Sequence, residues 1–533
     1  MAICCLFMWA LSLVNAVLIY VYECIEVVIN YLYSPLPPKQ PGNKFGHVAI
    51  IGAGLSGISS ASQLISQGFE VTIFEEHDET GGIWARVNES SGLQINSIMY
   101  RFHPLVYWTK WYPHRDQILW NIRRIWQVYS LKQRTRFGTP VTKVERHSSS
   151  TKLEGSSGQS RWVINGNQSE VFDAVVVTIG TCGKPKFVKT PGESDFAGKV
   201  LHSSQLDQVD FKGKKVIVIG GGASGVEAAE LAAKKGAIKP TILARSDKWL
   251  IPRNIFVDCL LAMQPFGREM PLSFIPEWFI RKFHYRELVD KMAPTEGFYI
   301  GTPIVNNEML QLVRSGRADY HRGDVKRITK DGVIWNARKR GQKKGAKGEE
   351  KFSEADIIVL ATGFQRPTFD FLPDDLFPED YTRPNMYLQV FPVTDWSVLC
   401  TNSTFHNAVG TVGHVHIGMY ARILALFLND PNSRPAPKDM RLWVDLIRHV
   451  KENAPGGELE FFTYMELCLW FALFLCSRLR RIRYVAFILC GYGRWLENPN
   501  SGSPHFQLTI TTALQHLRHG FTLNERSGRA IKN

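Results

Sequence analysis

Apolar and polar positions follow one pattern twice along this chain. A continuously apolar run occurs at residues 48–51 and again at 216–219, and each run ends at a cluster of glycines. Apolar residues then recur at helical spacing, and a second, mostly apolar run follows at 71–74 and at 241–244, with one threonine in each. Short apolar runs are typical of strands buried on both faces, and a 3.6-residue spacing is typical of a helix packed on them. The pattern therefore predicts an α/β fold with two Rossmann-like dinucleotide-binding domains.

The first glycine turn, residues 52–57, has the spacing G-x-G-x-x-G. Gly52 permits a tight turn, Gly54 lets the backbone approach a pyrophosphate, and Gly57 brings the helix close to the strand. The next strand ends in Glu75, whose carboxylate can accept hydrogen bonds from both ribose hydroxyls and would repel a 2′-phosphate. This turn therefore predicts FAD or NAD rather than NADP.

The second glycine turn, residues 220–225, repeats the spacing with Gly220, Gly222 and Gly225. The strand that follows it ends in Arg245 instead of an acid. A guanidinium at this position can pair with a 2′-phosphate through two charge-assisted hydrogen bonds. The second turn therefore predicts NADPH.

Other segments, in the same order along the chain, resemble the flavin-containing monooxygenase-like proteins, the class B flavoprotein monooxygenases. They are residues 81–84 (Gly-Gly-Ile-Trp), 112–118, 196–202 and 356–364, and the resemblance runs from about residue 48 to about residue 416. It implies FAD at the first turn, with further cofactor contacts from Gly82, Trp84, Thr362 and Gly363. It also implies that the strand at 356–364 returns the chain to the FAD domain.

The subclass within this family stays open. Residues 196–202 match the first half of the family's fingerprint, F-x-G-x-x-x-H, and end in His202, for which a structural role is favoured. The second half departs, because Leu206 and Asp207 stand where most members have an aromatic residue followed by Lys or Pro. Baeyer–Villiger members have Trp before Pro or Asp, so Asp207 fits that subclass and Leu206 does not. Amine or sulfide oxygenation and Baeyer–Villiger oxidation of ketones both remain open, with aliphatic hydroxylation less favoured.

The resemblance implies a reaction and one catalytic residue. Asn96 corresponds to the asparagine that faces the flavin and the nicotinamide in these enzymes. NADPH reduces the flavin, O2 adds to form a C4a-hydroperoxyflavin, and one oxygen atom passes to a hydrophobic small molecule. A flavin disulfide reductase is disfavoured because none of the nine cysteines forms a C-x-x-C pair. An inactive nucleotide-binding membrane protein is disfavoured because the glycines and the ribose-binding positions are intact in both turns.

The N-terminal segment predicts a transmembrane helix. Residues 3–22 are almost continuously apolar, which matches the thickness of a bilayer core. No basic residue precedes them and no small-residue cleavage site follows, which disfavours a cleaved signal peptide. Lys39 and Lys44 follow the apolar segment, within a proline-rich linker, so the globular part is expected on the cytoplasmic side, and an endoplasmic-reticulum-type membrane fits. The alternative is a hydrophobic helix packed on the protein's own surface. A shorter apolar stretch at 467–476 precedes four arginines and predicts an interfacial or pocket-covering helix.

The order of motifs predicts a FAD-binding domain into which the NADP-binding domain is inserted. The expected boundaries are 1–33 for a membrane anchor, 34–45 for a linker, 46–200 and 352–450 for the FAD-binding domain, 201–351 for the NADP-binding domain, and 451–533 for a membrane-proximal or capping segment. The formal charge of +14 suits anionic cofactors or a membrane surface. No zinc-ligand spacing or recognition-helix pattern accompanies the basic runs, so neither a metal nor nucleic acid is a predicted partner. The basic run at 339–347 predicts an exposed loop, and no feature indicates an oligomeric state.

Overall fold

The computed structural model describes residues 2–35, 37, 45–149, 160–258, 272–298, 303–402, 414–453 and 463–491. In chain order its strands are β1 (His47–Ile51), β2 (Glu70–Phe74), β3 (Thr135–Arg136), β4 (Val144–Arg146), β5 (Trp162–Ile164), β6 (Ala174–Val177), β7 (Lys199–His202), β8 (Lys215–Ile219), β9 (Ile238–Ala244), β10 (Leu250–Ile251), β11 (Ile304–Val305), β12 (Asp319–Thr329), β13 (Gly332–Ala337), β14 (Glu349–Glu354), β15 (Ile357–Leu360) and β16 (Val398–Leu399).

The first four helices are α1 (Ala2–Tyr33), α2 (Leu55–Ser66), α3 (Arg115–Val128) and α4 (Ala223–Lys234). Later helices span Phe274–Phe279, Val289–Met292, Glu308–Arg314, His416–Asn429, Pro437–Asn453, Thr463–Cys476 and Tyr484–Cys490.

Two sheets organise the chain. The first has five parallel strands in the order β16-β6-β1-β2-β3, and the second has seven strands in the order β14-β13-β12-β9-β8-β15-β7. In the second sheet β12, β9, β8, β15 and β7 run parallel, and β13 and β14 add an antiparallel edge. Each sheet contains one of the predicted strand–turn–helix–strand units, β1-α2-β2 and β8-α4-β9. The predicted α/β fold with two Rossmann-like units is confirmed.

The continuous apolar runs are explained by burial on both faces of each sheet. In β1, Val48 and Ile50 pack in one core with α2, whereas Ala49 and Ile51 pack in another with Phe172. The side chains of a strand alternate between the two faces of its sheet, so a strand covered on both sides needs an apolar residue at every position. The second sheet repeats this arrangement in β8, where Val216 and Val218 pack in one core and Ile217 packs in another.

The pairing of β15 bears on the domain boundary expected at 352, which stays a prediction. Strand β15 pairs in parallel with β8 and β7, with Ile357 opposite Val216 and Lys199. This ladder keeps the chain in the second sheet through Leu360, so residues 356–360 do not return it to the first unit. The boundary expected at 352 falls inside β14, whose partner is β13 of the second sheet. The basic run at 339–347 lies in the exposed connection between β13 and β14, as predicted.

Helix α1 is longer than the predicted span of residues 3–22. Its stretch Leu13–Tyr33 is long and apolar enough to cross a membrane, and most of the side chains there are exposed. Tyr22 and Glu26, however, are buried against the first unit. The helix therefore combines the two sequence interpretations, since it is a candidate membrane span that also packs on the protein's own surface.

The apolar stretch at 467–476 forms most of the helix Thr463–Cys476. Leu467, Trp470 and Phe474 pack into the core that also holds α2, while Leu469 and Leu473 on its other side are exposed. One face of this helix therefore covers the first unit. Residues 492–533, the end of the predicted C-terminal segment, lie outside the described residues.

Candidate functional site

The first glycine turn is closed tightly against the end of β6. Gly52 has a φ of +105°, and a Cβ added there would lie 2.8 Å from the carbonyl oxygen of Thr178. A Cβ at Gly57 would lie 1.9 Å from the carbonyl oxygen of Gly52. Gly54, the residue before α2, has ordinary extended backbone, and a Cβ there would meet only Gly82 within 4 Å. The turn therefore needs glycine for its own geometry at Gly52 and Gly57, while Gly54 keeps the approach to the start of α2 clear.

Glu75 lies where the predicted ribose acid should be, directly after β2. Its side chain is buried, with Oε2 accepting from the Ala53 N–H at 2.6 Å and Oε1 accepting from the His77 N–H at 3.1 Å. The carboxylate is thus fixed to the glycine turn. A carboxylate offers about four acceptor sites, so Glu75 keeps capacity for ligand hydroxyls.

The Gly-Gly-Ile-Trp segment folds as a short 3-10 turn, Gly82–Ala85, against the same glycine turn. The Gly81 N–H donates to Ala53 O at 3.0 Å, and a Cβ at Gly82 would lie 3.1 Å from the Gly54 Cα. Trp84 turns toward the core, where its Nε1 donates to the Tyr100 hydroxyl at 2.9 Å. The structure therefore places Gly82 against the first turn, and Trp84 fixes the segment to the core through its hydrogen bond to Tyr100.

The second glycine turn has the same construction with a more open front. A Cβ at Gly220 would lie 2.4 Å from Ala361 O, and one at Gly225 would lie 2.0 Å from Gly220 O. At Gly222, by contrast, an added Cβ would meet no atom of the described residues within 4 Å. Gly222 stands at the N-terminus of α4, where the first backbone N–H groups have no intrahelical partners and favour an anion. The geometry leaves open space in front of the N-terminus of α4.

Arg245 is exposed at the end of β9, as the sequence predicts. Its neighbours Arg322 and Arg338 are paired with Asp247 and Asp324. Among the residues that the structure describes, Arg245 has no ion-pair partner, and only its backbone oxygen is engaged, by the Arg338 guanidinium. Its charge is therefore available to an anionic group.

Thr362 and Gly363 lie at the crossing between the two units rather than at the first turn. Both follow β15. Ala361, the residue between β15 and Thr362, packs against Gly220 and Gly225. Thr362 Oγ1 donates to Lys186 O, and the Lys186 N–H donates to Gly363 O at 2.9 Å. These two residues thus lie close to the second turn, and the cofactor contact that the resemblance implies for them stays a prediction.

His202 is buried behind the same crossing. Its Nε2 is 3.0 Å from Gly363 O, its Nδ1 is 2.9 Å from Ser204 Oγ, and burial lowers its pKa. Leu206 is fully buried in the core of the second unit, whereas Asp207 Oδ1 accepts from the Glu89 N–H at 3.0 Å. The two residues that depart from the fingerprint therefore serve as a core position and as a link between the units.

Asn96 is buried at the junction of the two units. Its backbone N–H donates to Asp258 Oδ2 at 2.8 Å, and its side-chain Oδ1 accepts from the Ile98 N–H at 3.1 Å. The Tyr112 hydroxyl donates to the same Asp258 oxygen at 2.9 Å and also contacts the Asn96 side chain. Burial raises the pKa of Asp258. The structure therefore holds the predicted catalytic residue from both units at once.

Two junction residues were missed by sequence reasoning. Glu227 on α4 accepts from Gln94 Nε2 at 3.1 Å and from Ser91 Oγ at 3.3 Å, and burial raises its pKa to about 7. Its position two residues after the glycine turn is a sequence signal that could have found it. Asp258 carries no such signal, because its partners lie more than a hundred residues away in the chain.

Comparisons with known proteins agree with this geometry. Residues 45–396 match the family described as flavin-binding monooxygenase-like. Flavin-containing monooxygenase 1 of Canis lupus familiaris is 26% identical over 377 residues, covering 65% of this chain and 67% of that protein. The Homo sapiens protein of the same name is 25% identical over 502 residues, covering 87% and 86%. A Baeyer-Villiger monooxygenase of Pseudomonas aeruginosa is 31% identical over 360 residues, covering 60% and 63%.

Solved structures share the fold. The open crystal structure of cyclohexanone monooxygenase superposes with a TM-score of 0.63 at 16% identity, covering 81% of this chain and 98% of that one. Oxidized steroid monooxygenase bound to NADP superposes with a TM-score of 0.60 at 17% identity and the same coverage. At these identities the likeness establishes the architecture.

Proposed function

Because the chain belongs to the flavin-binding monooxygenase-like family, and is therefore an oxidoreductase of the flavin monooxygenase class, we propose that FAD binds at the first glycine turn and NADPH at the second. The observation that carries this assignment is the contrast between the two strand ends. A carboxylate fixed beside the first turn suits ribose hydroxyls, and an exposed guanidinium beside the second suits a 2′-phosphate.

At the first turn, Gly52 and Gly57 shape the backbone, and Gly54 with Gly82 leaves room for a pyrophosphate at the start of α2. Glu75, held by the Ala53 N–H, accepts hydrogen bonds from the ribose. The residues fit a dinucleotide because the only contact that a Cβ at Gly54 would make is with another glycine.

At the second turn, Gly220 and Gly225 close the backbone while Gly222 leaves open space in front of α4. The N-terminus of α4 attracts the pyrophosphate, and Arg245 pairs with the 2′-phosphate. An NADH molecule lacks that phosphate and would gain nothing from Arg245.

Bound flavin, once reduced by NADPH, supplies the reaction with O2 that transfers one oxygen atom to the substrate. The chain's own contribution at this point is position. Asn96, fixed by Asp258 and Ile98, presents its amide at the junction of the two units, where Tyr112 is its neighbour. A buried junction of this kind excludes water from the reacting groups.

The substrate class we propose is a hydrophobic small molecule with an oxidisable nitrogen or sulfur. A Baeyer–Villiger oxidation of a ketone is the second candidate, favoured by Asp207 and by the 31% identity to the Pseudomonas aeruginosa protein of that name. Helix α1 is proposed to anchor the enzyme in a membrane, with the globular part on the cytoplasmic side because Lys39 and Lys44 follow the helix.

The test uses the full chain purified in detergent. We expect a yellow protein with a flavin absorbance band, NADPH oxidation coupled to O2 consumption, and product masses that gain one oxygen atom from an amine, a sulfide or a ketone. Oxygenation of the ketone alone would favour the second candidate. A colourless protein that retains its fold would overturn the FAD assignment.

A further inference from the structure

We propose that the C-terminal half of α1 contributes to the structure of the active site. Glu26 on this helix holds the loop of residues 97–111 and thereby positions Asn96. The proposal rests on the proposed function in one respect, namely that Asn96 faces the reacting cofactors. It assigns Glu26 as a positioning residue and makes the candidate membrane anchor part of the active-site structure.

Glu26 is fully buried, which is unusual for a carboxylate in an apolar helix. It pairs with the Arg101 guanidinium, and its Oε2 accepts from the Trp108 N–H at 2.5 Å. Arg101 in turn donates to Pro104 O at 3.2 Å and to Val106 O at 2.9 Å. Glu26 thus fixes the Arg101 guanidinium, which in turn binds two backbone carbonyls of the same loop. A buried charge is retained only where partners of this quality compensate its desolvation.

Other contacts extend this interface along α1. Tyr22 stacks on Trp111, with ring centroids 5.0 Å apart, and Trp111 Nε1 donates to Asn15 Oδ1 at 3.1 Å. The Tyr107 hydroxyl donates to Glu23 Oε2 at 2.9 Å. The contacted positions on α1 therefore run from Asn15 to Glu26 and face a single loop.

The same loop begins immediately after Asn96. The Ser97 N–H donates to Trp111 O at 2.7 Å, which closes the two ends of the loop on each other. Ser97 Oγ also lies 3.5 Å from the Tyr22 hydroxyl. Movement of α1 is thus transmitted to the residue next to Asn96 through Trp111 and Tyr22.

The length of α1 accommodates both roles. Its 32 residues correspond to about 48 Å, whereas a bilayer core requires about 20 residues or 30 Å. The contacts with the loop begin at Asn15, so Asn15, Glu23 and Glu26 face protein groups, and the helix can meet lipid along its exposed face. On the opposite side, Val17, Val21 and Val28 are about half exposed. The helix would hold the Asn96 loop at the membrane surface.

The experiment compares Glu26→Gln with the wild type, using the full chain in detergent. The matched control is Glu79→Gln, because Glu79 also pairs with an arginine, Arg123, but both side chains are about half exposed. We measure flavin content, KM for NADPH, and the ratio of oxygenated product to NADPH consumed. Loss of positioning predicts a fall of about fivefold or more in that ratio for Glu26→Gln, with unchanged KM for NADPH and no change in Glu79→Gln.

A second variant separates positioning from folding. Glu26→Gln combined with Arg101→Gln leaves no unpaired buried charge, so flavin content and thermal stability recover if Glu26→Gln alone misfolds. Under our proposal the product ratio stays low in the double variant, because the loop is still not held. A product ratio equal to that of Glu79→Gln in either variant overturns the proposal. A wild-type protein that binds no flavin would instead contradict the proposed function itself.

Discussion

The backbone N–H of Asn96 donates to Oδ2 of Asp258 at 2.8 Å, across the junction between the two dinucleotide-binding units. The two residues are 162 positions apart in the chain, and the Tyr112 hydroxyl donates to the same carboxylate oxygen at 2.9 Å. A carboxylate of the second unit therefore fixes a backbone group of the first. Any change in the relative position of the units therefore changes the position of Asn96.

We predict that Asp258→Ala uncouples the enzyme. The variant leaves the Asn96 N–H and the Tyr112 hydroxyl without their shared acceptor, so Asn96 loses its fixed position while both glycine turns stay intact. Hydrogen peroxide released per NADPH should rise, and oxygenated product should fall by about tenfold. Tyr112→Phe removes one of the two hydrogen bonds and should give a smaller change. Equal coupling in Asp258→Ala and wild type would contradict this role.

We predict that Arg245→Ala weakens the preference for NADPH over NADH. Removing the guanidinium takes away the only proposed contact specific to the 2′-phosphate, which is worth roughly 1.5–3 kcal/mol for a charge-assisted bond. The kcat/KM for NADPH should fall by about tenfold or more, which is the change that this loss of energy corresponds to. The kcat/KM for NADH should not change. Lys234→Ala, an exposed cation at the far end of α4, is the matched control. An unaltered ratio in Arg245→Ala would remove the phosphate role.

Two glycine-to-alanine variants of the second turn should behave differently. A methyl group at Gly222 meets no atom within 4 Å in the part of the chain that the structure describes, so Gly222→Ala should fold normally and lose affinity for NADPH. A methyl group at Gly225 would lie 2.0 Å from Gly220 O, so Gly225→Ala should lower the unfolding temperature or prevent folding. Thermal unfolding and NADPH titration of both proteins check this. Full NADPH affinity in Gly222→Ala would mean that the ligand does not approach there.

Stability should depend on pH through Glu227. Burial raises the pKa of its carboxyl to about 7, above the ordinary value of 4.5. As the pH rises between these values, the unfolded chain loses this proton before the folded protein does, so the folded state becomes relatively less stable. Thermal unfolding measured from about pH 5 to about pH 8 should show a smaller fall in Glu227→Gln than in wild type. Glu79→Gln, an exposed carboxylate, should follow the wild-type curve, and a Glu227→Gln curve parallel to wild type would refute the prediction.

Much of the fold was accessible from the sequence because its signals are local. The apolar runs at 48–51 and 216–219 and the glycines after them lie within a few residues of one another, and the structure places each set in one strand–turn–helix unit. Glu75 and Arg245 were also found this way, since each follows a strand of its own unit. Sequence patterning does not tell which sheet β15 joins, so the domain boundary expected at 352 stays a prediction.

The sequence by itself determined the two glycine turns, the opposite charges of Glu75 and Arg245 beside them, and the apolar N-terminal helix. It could do so because backbone geometry and burial on both faces restrict the residue types at neighbouring positions. Only the tertiary structure decided that Asp258 holds Asn96 and that Glu26 pairs with Arg101. These contacts join residues far apart in the chain. Asp258 and Glu26 are single acidic residues, and in the sequence neither can be distinguished from an acid on the surface. Their burial and their partners exist only once the units and α1 have packed together.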